Sequence, residues 1–199
     1  GIFRAFENVG DGYGMLMAIL GGDDAGGGVT WAPEVINDAK DFGLLLGDNG
    51  VLYDTKKGES LPAHIGPMEL LSEAELNNFP EVSTEEFMNN FFVSASDLFQ
   101  HSNDSPVKVI GSKGLLKDKP GFEVDYVSND TFIKEMHTTS QYEVNMIMKG
   151  EWNLEWKDDS INISAGDTCL IRPNLSYRIV PVGSGQASLF KVTKTNDRP

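Results

Sequence analysis

Residues 131–150 read TFIKEMHTTSQYEVNMIMKG, and this stretch decides the fold. Thr131 to His137 alternates, a short polar turn follows, and a second alternating run leads from Gln141 to Gly150. Side chains alternate faces along a strand. The pattern therefore predicts two neighbouring strands on which Ile133, His137, Glu143, Asn145 and Ile147 share one interior wall. An imidazole and a carboxylate pointing into one space are the beginning of a metal site or an acid/base pair.

Working outward, everything from Val107 on has the same rhythm. Strands are predicted over 107–110, 122–128, 131–137, 141–149, 151–157, 160–163, 168–172, 177–180 and 187–192. Asn129-Asp130, Lys149-Gly150, Asp158-Asp159 and Ala165-Gly166-Asp167 supply turns. Short strands without helices point to a closed or sandwiched antiparallel barrel. The first half differs. Apolar runs 2–6 and 13–20 flank a turn sequence and are expected to pair as strands. Pro33 to Phe42 has the apolar face of a helix, with Gly43 as its stop. Asp48-Asn49-Gly50 marks a hairpin between 44–47 and 51–54. Ser72 with Glu75, and Ser83 with Glu86, mark helix starts. The division is then an N-terminal α+β appendage, residues 1–104, and a β-barrel, residues 105–199.

Composition bounds the partners. With 16 basic and 30 acidic residues the net charge is −14, which repels a phosphate backbone, so nucleic acid is excluded as a partner. No apolar run approaches the length of a membrane span. Gly21–Gly28, GGDDAGGG, has no Lys-Ser/Thr ending and carries Asp23 and Asp24, so it does not read as a phosphate loop. Cys169 is the sole cysteine. No internal disulfide can form, and a cytoplasmic, reducing location is expected.

His137-Thr138-Thr139, Glu143 and Gly150 resemble the first motif of the cupin superfamily, H-x-H-x(3,4)-E-x(6)-G. Gly166-Asp167-Thr168 through Pro173 to Tyr177 resembles the second motif. The resemblance covers about 107–193 and implies a mainly β, cupin-type antiparallel jelly-roll barrel. It also implies an iron, manganese, nickel or zinc ion, for which His137, Glu143 and, in place of the last histidine, Tyr177 are the candidate ligands. The family's other first-motif histidine is Thr139 here, and a neutral hydroxyl is a poor donor to such ions. Tyr177 ligates only as a phenolate. Glu135, His64 and His101 are further candidates to complete the set.

The expected function is binding of a small organic molecule in a barrel whose metal site is degenerate. Thr139, Asn145, Ile133, Ile147, Trp152 and Arg172 are the candidate ligand contacts, joined by Ile179 and Trp156 on the apolar side. A few convergent polar groups in an apolar hollow describe such a site. Arg172 would anchor a ligand carboxylate. One alternative is an atypical cupin dioxygenase, lyase or isomerase with His137, Glu143 and Tyr177 catalytic. Another is an interaction module docking through the aromatic segment from Phe79 to Phe99. The resemblance further implies a homodimer.

Overall fold

The computed structural model describes residues 5–19, 30–102, 105–117 and 121–195. They group into two units. One comprises 5–14 and 30–83, the other 15–19 and 84–195.

In the first unit, α1 (Pro33–Asp41) follows Ala32, with proline in its first turn, where the missing amide hydrogen costs nothing. It buries Ile36. Strands β1 (Leu44–Leu46) and β2 (Leu52–Asp54) pair antiparallel around the expected hairpin. A single-turn helix, α2 (Glu73–Leu76), starts at the expected capping box: the Ser72 hydroxyl accepts from Glu75 N, and the Glu75 carboxylate accepts from Ser72 N. The strand expected over 13–20 does not form in residues 13–19, which are irregular like residues 5 and 6. The rest of that pair and the loop Gly21–Gly28 lie outside the described residues.

The second unit holds α3 (Thr84–Asn90), α4 (Ala95–His101) and eight strands: β3 (Val107–Ile110), β4 (Phe122–Ser128), β5 (Glu143–Lys149), β6 (Glu151–Trp156), β7 (Asp159–Ser164), β8 (Thr168–Ile171), β9 (Tyr177–Val182) and β10 (Ser188–Lys194). One antiparallel sheet runs β3-β4-β10-β5-β8 and the other β7-β6-β9. The chain crosses between the sheets after β5, β7, β8 and β9. That crossing pattern makes an antiparallel jelly roll.

One expected strand is missing. Thr131–His137 does not form a ladder with the strand that carries Glu143, and it is not a strand. It is irregular, with a bend at Glu135, and meets the barrel at one bridge, where His137 and Tyr177 exchange backbone hydrogen bonds of 2.9 Å each way. The segment thus touches β9 at Tyr177, its first residue, and the second sheet stays three-stranded. His137 and Glu143 therefore do not come from adjacent strands of one hairpin.

Alternation along the larger sheet separates two cores. Inward-facing Val127, Ile147, Ile171 and Leu189 join Trp152, Leu154, Tyr177 and Ile179 of the facing sheet. The outer face, with Val107, Val109, Val124 and Tyr126, is covered by Leu98 of α4, with Ile19 and Val93 packed alongside. α4 is set by a second capping box, Ser94 with Asp97. α3 and α4 thus group with the barrel, on the far side of the boundary expected at 104/105.

Candidate functional site

Tyr177 is the hub. It opens β9, is 2% exposed, and stands between the two sheets. Its hydroxyl donates to Oε2 of Glu143 at 2.5 Å. Its ring lies against the His137 imidazole, the centroids 4.4 Å apart. The hollow places Tyr177 between the two groups expected to pair with each other, and no His137–Glu143 hydrogen bond forms. Burial pushes the Tyr177 phenol well above its usual range, and the neighbouring Glu143 carboxylate pushes it further the same way. The phenol is a neutral donor.

Glu143, 4% exposed, is held on its other side by β10. Oε1 lies 3.5 Å from the Thr193 hydroxyl and 3.8 Å from Lys191 Nζ. Lys191 also lies 3.8 Å from Oδ2 of Asp125, whose other oxygen pairs with Lys108 at 2.8 Å. A buried carboxylate needs such partners. The reading from sequence missed Lys191, Thr193 and Asp125. Their signal is alternation: Leu189, Lys191 and Thr193 share the inward face of β10, and Asp125 and Val127 that of β4.

Beside this network lies a cavity of about 30 Å³. Val127, Phe132, Ile133, Ile179 and Leu189 form its apolar wall. His137, Asn145, Tyr177 and Lys191 form its polar side. Both ring nitrogens of His137, and Nδ2 of Asn145, are buried without a hydrogen-bond partner. Buried polar atoms are nearly always paired, and each exception asks for an explanation.

The other expected contacts fall elsewhere. Ile133 lines the cavity, although 40% exposed. Ile147 and Trp152 are packed into the core, and the Trp152 indole N–H donates to the Lys149 carbonyl. Trp156 packs against the same cluster. The Thr139 hydroxyl accepts from Gln141 N and closes a turn. Arg172 is exposed at the end of β8 and does not line the cavity. Ile147, Trp152, Trp156, Thr139 and Arg172 do not line this cavity; they sit in core, turn or surface.

The donor set does not fit a resident divalent ion. Glu143 is engaged by a phenol and faced by an ammonium, Tyr177 keeps its proton, and Thr139 is spent on a turn. Glu135 is exposed. His101 is exposed and its Nδ1 is bonded to the Asp97 carbonyl at 2.7 Å, while His64 belongs to the other unit. Among the described residues no group of three His, Cys, Asp or Glu is gathered to hold a metal. One imidazole remains, and first-row ions require several such donors.

Residues 119–193 match the family model described as the AraC-like ligand binding domain. The match runs from β4 to β10, across both motifs and both sheets of the jelly roll.

Residues 119–193 have a cupin-type jelly-roll fold.

Solved structures that this chain resembles include a cupin-2 domain-containing protein from Shewanella frigidimarina. It is 14% identical, with a TM-score of 0.40, over 51% of this chain and 93% of that one. A protein from Neisseria meningitidis gives 14% and 0.41 over 52% and 99%. A cupin protein from Bacteroides fragilis gives 17% and 0.41 over 54% and 86%. A search of curated proteins gives no match. Among the described residues no helix is long and apolar enough to cross a membrane.

Proposed function

We propose that the cupin barrel binds a small organic molecule without a resident metal, between His137 and Asn145 on one side and the Val127, Ile179 and Leu189 wall on the other. One observation carries this reading: buried polar atoms of His137 and Asn145 belong to cavity-lining residues and make no hydrogen bond among the described residues. Leaving a buried donor unmade costs on the order of 1–3 kcal/mol, so a fold that keeps several gains by having them met from outside. The family's description as a ligand-binding domain agrees with this. The metal-dependent enzyme alternative is less favoured, because among the described residues no group of three His, Cys, Asp or Glu is gathered to hold an ion.

The test is metal analysis of protein purified without chelators, together with thermal denaturation in the presence of a metabolite panel. The expected outcome is substoichiometric metal and a melting temperature raised by at least one compound. One equivalent of a first-row ion, lost in His137→Ala with the fold intact, would sink the metal-free reading. We further propose a cytoplasmic homodimer paired through the sheets' edge strands. Sedimentation over a range of concentrations tests it, and a monomer throughout would remove it.

A further inference from the structure

The cavity carries a positive group in an acidic protein. Of the described residues lining it, Lys191 is the only Asp, Glu, Lys or Arg. The carboxylates nearest to it, Asp125 and Glu143, stand 3.8 Å away, outside hydrogen-bond reach, and do not line the cavity. The Lys191 ammonium thus faces both its partly compensating carboxylates and the hollow.

The unmet atoms sharpen this. Asn145 is 2% exposed, and its unpartnered Nδ2 is a donor. A neutral imidazole offers one donor and one acceptor, an ammonium three donors. Donors on the polar wall therefore outnumber acceptors, and the strongest acceptor nearby, Glu143, is taken by Tyr177. The occupant must bring acceptor oxygens and few donors of its own. About 30 Å³ is room for roughly two or three water molecules, so the part that enters is short.

We infer that the ligand is a small carboxylate with a short aliphatic tail. Its oxygens meet Lys191 Nζ, Asn145 Nδ2 and the His137 N–H, and its tail lies on the Ile133 and Leu189 side. This deepens the small-molecule reading above and rests on it. A half-buried ammonium and an amide N–H can compensate the lost hydration of a carboxylate through charge-assisted bonds, which are the strong ones. A polyol brings hydroxyl donors that this wall is short of acceptors to receive.

Titration calorimetry of the full chain at neutral pH tests the assignment, with acetate, propionate and butyrate each run beside its amide, and with glycerol and a pentose as neutral hydroxyl probes. A carboxylate of the series is expected to bind at least about tenfold tighter than its amide, the scale of one charge-assisted bond. Lys191→Met should abolish that preference, and Lys191→Arg should keep it. Asn145→Asp, nearly isosteric, places a second carboxylate in the wall and should weaken the acid while sparing the amide, which keeps the test available if Lys191→Met fails to fold. Amides binding as tightly as acids, or a preference that survives Lys191→Met, would overturn the carboxylate assignment. Binding of the pentose or glycerol alone would overturn it too, yet leave the barrel a small-molecule site. Absence of heat from every probe overturns this assignment, and the broader reading falls only if the metabolite panel also leaves the melting temperature unmoved.

Discussion

At the scale of single residues, the site separates groups that hold the fold from groups that wait for something. Glu143 and Tyr177 are of the first kind. Their hydrogen bond crosses from one sheet to the other inside the core, and removing the phenol strands a buried carboxylate. Tyr177→Phe is expected to lower the urea unfolding free energy by about 1–3 kcal/mol. His137 is of the second kind. His137→Leu removes two unmet nitrogens, so it should leave the unliganded protein as stable as the parent, or more so by roughly 1 kcal/mol, while ligand affinity falls. A structural histidine would show the opposite pattern. The raised pKa of Tyr177 adds a pH dependence whose sign is fixed. The folded state holds the phenol's proton more tightly than the unfolded chain does. Its contribution is complete below the ordinary tyrosine value near ~10 and is lost as pH rises beyond it. Denaturation midpoints followed from pH 8 upward should fall more steeply in the parent than in Tyr177→Phe.

At the scale of elements, the turns decide which strands face one another. Gly150 sits at φ +76°, and a Cβ there would come within 2.8 Å of the Ala187 Cβ and 3.0 Å of its backbone. Gly150→Ala should destabilise the barrel by about 1–3 kcal/mol, read from the thermal midpoint, because both backbone strain and overpacking oppose it. Most strands were legible from their period of two and their turn residues. The segment 131–137 was misread for a physical reason: alternation reports which side chains share a face, not whether a neighbour's backbone is in reach. Thr131, Ile133 and His137 alternate as a strand should, yet only His137 finds a partner. The same limit explains Lys191. Its inward register is local information, but that β10 lies between β4 and β5, beside Glu143, is a pairing across some fifty positions of chain, and no window of sequence contains it. The motif residues His137, Glu143 and Tyr177 were found, and their distances were not: which of them bonds which is set by sheet topology.

At the scale of the molecule, the barrel's outer face matters as much as its hollow. Val107, Val109, Val124 and Tyr126 turn away from the cavity and are covered by Leu98 of α4. A chain cut at 105 would begin after that cover and bare the patch, whereas one beginning at 84 retains α3 and α4. The longer fragment is expected to stay monodisperse and the shorter one to aggregate or bind a hydrophobic dye strongly. Equal behaviour of the two would show that α4 adds nothing to the barrel. Leu98→Ala in the full chain should cost about 2–5 kcal/mol on the same grounds.

The single bridge at His137 links two roles in one residue pair. The backbone that bridges residues 131–137 to β9 belongs to the same two residues whose rings meet inside the barrel. A guest bonded to the imidazole is therefore expected to steady the bridge as well, and slower amide exchange at 137 and 177 becomes a gauge of occupancy that needs no label on the guest.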